Sequence, residues 1–316
     1  MPSSPTTVVG AGIAGTACAR VLAGAGVPVR VLDRGRRPGG RMASRTLHDR
    51  TVDLGASYLT AEDGSEFATQ VRDWVDRGLA RPWTDTFAVA GPDGLRSTTT
   101  GPVRYAAPGG TRSLVADLAG GLDLESGRTV AAVGPGPRVD GEEVPAVVLA
   151  MPDPQARRLL DADTAGRLLD DRPWEPSLAV VLGWSRRHWP ADLHGAFVND
   201  DPAVTWVADD GDRRGDGAPV LVAHTTAELA AAHLEDPDAA AGPVAAAVGR
   251  ALGIDVPPEW TTVHRWTHAR PAQARDEPFG LAGGIGVCGD GWSAPSRVQA
   301  AWTSGTALGR ALLTAR

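Results

Sequence analysis

The sequence predicts an α/β protein in two lobes, one built on a doubly wound parallel sheet and the other an α+β lobe with an antiparallel sheet. Three observations lead there. The chain has 316 residues, about twice the usual size of a single domain. It opens with a strand, a glycine loop, a helix and a second strand in immediate succession. After residue 151 the texture changes to short strands alternating with alanine-rich helices.

Thr6–Val9 is a short apolar strand running into Gly10-x-Gly12-x-x-Gly15. Ile13, Ala17, Val21 and Leu22 then fall at helical spacing, and Gly24 and Gly26 end that helix. Residues 27–32 read as a second strand that closes on Asp33. Residues 61–103 read as an insertion, with an acidic helix over 66–74 and short, turn-punctuated strands near 87–99. Further strands are expected over 129–133, 144–151, 178–184, 205–208, 220–224 and 285–288, and helices over 227–234, 239–252 and 297–313. The dinucleotide lobe is expected to combine residues 1–60, 104–152 and 280–316, leaving 61–103 and 153–279 to the second, substrate lobe.

A net charge of −7 argues against nucleic acid or an anionic membrane as partner, since both need a basic field. All 31 basic residues are arginine, so any chemistry that needs a lysine is closed to these residues. Cys18 and Cys288 stand far apart and suggest neither a disulfide framework nor a zinc site. Residues 1–7 lack the basic segment of a signal peptide, and the longest apolar runs are far shorter than a membrane span. The expected location is the cytoplasm. His264 and His268 would face a metal together only on a helix, and there is neither an HExxH pattern nor a nearby third ligand, so no metal site is expected. The mixed-sign run over 209–216 reads as a solvated loop.

Each glycine of the first loop has a physical task. Gly10 permits the tight turn, Gly12 lets backbone approach a pyrophosphate, and Gly15 lets helix and strand pack closely. The phosphate then rests on the helix N-terminus at Ile13 and Ala14. Asp33 lies 18 residues past Gly15, where a carboxylate accepts both ribose hydroxyls. Together these make the first lobe Rossmann-like.

The following segments resemble the FAD-binding amine-oxidase superfamily. Arg34-x-Arg36-Arg37-Pro38-Gly39-Gly40-Arg41 is similar to its GGR extension, which holds the diphosphate side of FAD, and Met42 follows directly. Asp53-Leu54-Gly55-Ala56-Ser57-Tyr58 matches the D-x-G segment that passes the isoalloxazine. Cys288-Gly289-Asp290-Gly291-Trp292 resembles the second FAD signature, whose acid accepts from the ribityl chain. Arg297-Val298-Gln299 opens a helix that meets the pyrimidine side of the ring, and the resemblance adds Val130 and Met151 to the FAD-contacting candidates. Within the superfamily the chain looks like the bacterial type of the renalase-like family, on DLGASYLT (53–60), YAAPGG (105–110), VLAMPDPQ (148–155), HRWTHA (264–269) and GDGW (289–292).

That resemblance implies non-covalent FAD and oxidation of the 2- and 6-dihydro isomers of NAD(P)H, with O2 reduced to H2O2. Both cysteines read as small buried residues rather than points of flavin attachment. Loss of hydride restores aromaticity to such a substrate, so no base has to strip a proton from the reacting carbon, and orientation carries the catalysis. Tyr58 and Trp266 are the candidate aromatic walls, and His268 the candidate hydrogen-bond partner of a carboxamide. The resemblance also allows a homodimer. Two other readings stand beside this one: another oxidase or desaturase of the superfamily, and a flavin-binding redox sensor without turnover.

Overall fold

The computed structural model describes residues 4–315, so part of the N-terminal stretch read above for a leader lies outside the described residues. The chain forms two compact units. The first comprises Met1–Met42, Arg112–Trp174 and Arg270–Arg316; the second comprises Ala43–Thr111 and Glu175–Ala269.

The first unit is organised by a six-stranded sheet with Thr6–Val9 near its middle. Val29–Asp33 pairs with that strand in parallel on one side and Val147–Leu149 on the other. Asp123–Ser126 extends the first side, Ile285–Val287 the second, both in parallel, and Gly280–Ala282 closes one edge antiparallel. All four residues of Thr6–Val9 are buried, the pattern of a parallel strand covered on both faces. The helices Ile13–Gly24 and Val298–Thr314 pack on each other through small residues. A Cβ on Gly305 would fall on the Ala14 carbonyl oxygen, and one on Gly309 would stand 3.0 Å from the Cys18 carbonyl oxygen.

The second unit carries a seven-stranded sheet in the order Trp260–Pro271, Trp174–Gly183, Val220–Thr225, Val204–Asp209, Gly195–Val198, Arg81–Gly91, Gly94–Ala106. Gly195–Val198 and Arg81–Gly91 pair in parallel, unlike the antiparallel pairs beside them. Side chains alternate across a strand, and both faces of this sheet are covered. Val180 and Leu182 pack with Val244, Ala247, Val248 and Ala251 of the helix Ala241–Leu252. Ala179 and Val181 pack with Val52, Leu54, Val220 and Val222.

Three expectations differ from what is observed. Residues 43–60 and 104–111 fall in the second unit, because Val52 and Leu54 join its core and Leu59 bridges to Tyr105. Residues 153–174 and 270–279 fall in the first, because Ala156, Leu168 and Leu169 share a cluster with Val9 and Leu32, and Arg275 ion-pairs with Asp153. The segment near 87–99 is not a set of short strands but one long hairpin, Arg81–Gly91 with Gly94–Ala106. No strand spans 129–133; only Val133–Gly134 pairs, in a small three-stranded sheet. Among the described residues no helix is long and apolar enough to cross a membrane.

The helix–helix seam is testable. Alanine favours a helix over glycine by about 1 kcal/mol, but an overpacked contact costs about 1–3 kcal/mol. Gly305→Ala is therefore expected to lower the urea midpoint. Gly24→Ala, whose Cβ meets nothing within 4 Å, should hold or raise it. Equal midpoints for the two variants would contradict this packing.

Candidate functional site

In the first unit the loop after Thr6–Val9 shows why glycine is needed at each place. Gly10 has φ +109°, and a Cβ on it would stand 2.5 Å from the Ala150 carbonyl oxygen. A Cβ on Gly15 would fall on the Gly10 carbonyl oxygen and 2.9 Å from Ala150 Cβ. Gly12 is different: a Cβ there would meet only Gly40 Cα, at 3.9 Å. Gly40, at φ +54°, faces it in turn. The two glycines thus border an open strip of backbone, the shape a diphosphate needs. The Ile13–Gly24 helix starts on that strip with no side-chain cap and no acid in its first turn. Its first N–H groups, those of Ile13 and Ala14 among them, and its dipole are left to attract an anion.

Asp33 clamps this loop. Its carboxylate accepts from the Ala11 N–H at 2.5 Å and from the Gly35 N–H at 2.6 Å. Each oxygen keeps a further lone pair, which suits a ribose hydroxyl. Arg34 is exposed and Met42 buried. Arg41 and Asp290, read above as partners of two different parts of the cofactor, meet each other. The guanidinium forks onto the carboxylate at 2.9 and 2.5 Å, Ser296 Oγ donates to the same carboxylate at 2.5 Å, and the Arg41 guanidinium lies 5.1 Å from the centre of the Trp174 ring. The Gly289 N–H donates to Ser304 Oγ at 3.0 Å. Arg297 precedes the Val298–Thr314 helix, which begins without an acid or side-chain cap, and Gln299 is buried in its first turn. Val130 and Met151 pack with Val9, Leu32 and Val147. The residues present therefore fit a dinucleotide of FAD type.

In the second unit, residues 54–58 run past a buried charged group. The antiparallel hairpin Ser44–Leu47 and Arg50–Asp53 delivers Asp53, which accepts from Ser44 Oγ at 2.5 Å and from the Thr111 N–H at 3.0 Å. Asp210, fully buried, pairs with Arg213, with Arg214 at 3.3 Å and with Arg50 at 3.0 Å. Arg214 reaches Asp53 at 3.0 Å. These residues come from the run over 209–216, so the expected solvated loop is instead a buried helical turn, Asp210–Arg214. Its opposite charges stand three and four residues apart, which on a helix brings them together, and Asp209 caps the turn by accepting from the Asp212 N–H. That spacing was the available signal.

The candidate substrate-side residues are arranged around the same segment. Trp266 Nε1 donates to the Leu54 carbonyl at 2.7 Å, and His264 sets its ring edge-on to Trp266 at 4.4 Å. Both lie on the strand Trp260–Pro271, not a helix, so His264, Trp266 and His268 share one face. Tyr58 packs with Trp83, Phe87 and Trp206 at 6.4, 5.3 and 5.7 Å, and Trp206 Nε1 donates to Ser57 Oγ at 3.1 Å. Burial raises the Tyr58 phenol above its usual range, with the Arg104 guanidinium opposing. Burial, and then the charge of Arg213, pushes His224 down to about 4. Burial, and then Arg45, pushes His264 down to about 4. Both imidazoles are neutral at pH 7.

Residues 8–77 match an NAD(P)-binding Rossmann-like domain, and residues 87–313, most of the chain, match the flavin containing amine oxidoreductase family. The chain belongs to that family. Family membership brings an FAD-type cofactor with it. A phytoene desaturase (neurosporene-forming) of Rhodobacter capsulatus is 35% identical over 96 residues, which is 30% of this chain and 18% of that protein. The chain thus matches less than a fifth of that relative's length. Among solved structures, a putrescine oxidase bound to putrescine superposes with TM-score 0.75 at 15% identity, over 99% of both chains. A candidate protoporphyrinogen oxidase of Exiguobacterium superposes with TM-score 0.76 at 14% identity, over 100% of both. These likenesses are of fold.

Two outcomes follow from the geometry. A β-branched side chain at Gly12 would fill the strip facing Gly40, so Gly12→Val should purify folded but without FAD; full flavin content in that variant would place the diphosphate elsewhere. His224 binds its proton less readily in the folded chain than in the unfolded one. Its contribution is therefore full above pH 6.5 and is lost as the pH falls toward 4, by at most about 3 kcal/mol. His264 adds a contribution of the same sign, reduced by its partial exposure. Urea titrations between pH 7 and pH 4.5 should show a shallower loss for His224→Gln than for the natural chain.

Proposed function

We propose that this protein is a renalase-like, FAD-dependent oxidase that takes a hydride from the 2- or 6-dihydro isomers of NAD(P)H. The substrate loses a hydride and becomes NAD(P)+, while O2 gains the two electrons and, with the proton of that hydride and one more from solvent, leaves as H2O2. Bound FAD supplies the two-electron relay between them. The observation that carries this reading is the setting of residues 54–58. Tyr58 stands in an aromatic group, and the buried carboxylates beside the segment, Asp53 and Asp210, are already matched by guanidiniums. An uncharged flat ring suits such a place; an ammonium ion needs an anion to replace its water.

In this reading, Gly10, Gly12, Gly15, Gly40 and Asp33 grip the nucleotide part of FAD, and Gly55, Ala56 and Ser57 pass its ring. Tyr58 and Trp266 orient the substrate by packing, and His268 donates to its carboxamide. No lysine occurs among the 316 residues, so no ammonium side chain stands at the reacting atoms. Non-covalent attachment is supported by the thiols: burial pushes Cys18 up to about 12 and raises Cys288 well above its ordinary value.

A second reading, an oxidase or desaturase of an amine or carotenoid-like substrate, draws support from the putrescine oxidase fold and the phytoene desaturase segment. Anaerobic mixing with a substrate panel separates the two. The dihydro isomers should bleach the flavin at least tenfold faster than 4-dihydro NAD(P)H, with putrescine and catecholamines inert. Trp266→Ala and Tyr58→Phe should slow that bleaching while retaining FAD. Rapid bleaching by an amine, with the isomers inert, would move the assignment to the second reading. A flavin reduced by nothing in the panel would favour a redox sensor.

A further inference from the structure

Between two fixed points, the Leu54 N–H on the Ala43 carbonyl and the Leu59 bridge to Tyr105, residues 55–58 belong to no strand. Buried side chains hold this stretch instead. The Leu54 carbonyl is taken by Trp266 Nε1 at 2.7 Å, and His224 also bonds the Leu54 backbone. The Ser57 carbonyl is taken by Arg213 Nη1 at 2.9 Å. The other end of the same guanidinium is bound to Asp210, and none of the Arg213 side chain is exposed. Peptide units are planar, and the one cis bond in the described chain lies elsewhere, at Ala294-Pro295. A carbonyl drawn toward Arg213 therefore turns the Tyr58 N–H to the opposite side, and the Leu54 carbonyl does the same for the Gly55 N–H.

The charged groups behind the segment are paired with one another. Arg50, Arg213 and Arg214 face two fully buried carboxylates, Asp53 and Asp210, while a third, Asp216, is half exposed. Asp216 in turn pairs with Arg50, so the positive charge that acts on the segment is that of the Arg213 guanidinium bound to it, which polarises the Ser57–Tyr58 peptide and strengthens its outward N–H donor.

We propose that Arg213 is the positioning residue of the 54–58 segment, fixing its backbone as a row of hydrogen-bond donors backed by positive charge and thereby favouring the electron-rich, reduced form of the flavin. The inference rests on the reading of 54–58 as the segment that passes the flavin ring. Its test compares the natural holoprotein with Arg213→Lys, Arg213→Gln and Arg187→Gln by visible circular dichroism of the flavin, by flavin midpoint potential against reference dyes, and by thermal unfolding.

Lysine keeps a charge beside Asp210 but lacks the fork that also reaches Ser57. Arg213→Lys should alter the flavin dichroism and shift its oxidised-to-reduced ratio at least tenfold toward oxidised, about 30 mV for a two-electron couple. Arg213→Gln should shift it further. Arg187→Gln opens the 2.5 Å pair with Asp209 without touching residues 54–58, so it should lower the melting temperature and leave the potential alone. If Arg213→Lys melts earlier with dichroism and potential unchanged, or if Arg187→Gln moves the potential equally, Arg213 is structural only and the inference is overturned. Should the single variants fail to fold, the double variant Asp210→Asn/Arg213→Gln, which strands neither charge of that pair, gives the same reading. A natural protein that neither carries nor takes up FAD would instead overturn the flavin reading itself.

Discussion

A guanidinium removed from water needs acceptors for its charge, and that demand organises the second unit of this protein around Arg213. Asp210 answers one side and the Ser57 carbonyl another, while Asp53 stands at 4.0 Å. Once those are in place the neighbours have little freedom. Asp53 is fixed by Ser44 and Thr111, Asp210 by two further arginines, and the backbone over 54–57 by what its carbonyls bind. Breaking such a group by removing one partner is far more damaging than exchanging the whole group for apolar residues of similar volume. The arrangement is better understood as specifying one backbone path than as adding stability.

The first unit works by the reverse device. There the decisive positions are those where a side chain is missing. Gly10 and Gly15 let the loop close on Ala150, Gly305 and Gly309 let two helices meet at backbone distance, and Gly12 with Gly40 keeps a strip of backbone open. Close approach of backbone leaves N–H groups and helix dipole undiluted at the strip, which is what a phosphate requires.

That difference explains what could be read from the sequence. Glycines in a fixed spacing, a terminal acid such as Asp33 and a strand–helix–strand rhythm are local, and they mark the dinucleotide fold before any contact is known. The charged turn over 209–216 is not local in this sense. A run of six charges of mixed sign and two glycines resembles a solvated loop until Asp53 and Arg50 arrive from a hairpin some 160 positions earlier. The unit borders were hidden for the same reason, since residues 43–60 look continuous with the dinucleotide lobe but bury Val52 and Leu54 under the other sheet. Arg41 and Asp290 were legible singly, each from its own motif; their pairing joins opposite ends of the chain and leaves no trace in either.

The order of the pieces has a consequence for how the protein is made. Thr6–Val9 and its glycine loop leave the ribosome long before the strand Ile285–Val287 and the helix that seats on Ile13–Gly24. In between, the whole second unit is synthesised. The parallel sheet of the first unit therefore stays open at one edge through most of translation, with the small-residue face of its first helix uncovered. Long-range parallel pairing of this kind is slow and exposes apolar surface to aggregation. A nascent chain of this protein is expected to lean on chaperones until the helix Val298–Thr314 is free, and truncations that remove that helix should cost solubility although every residue of the glycine loop is kept.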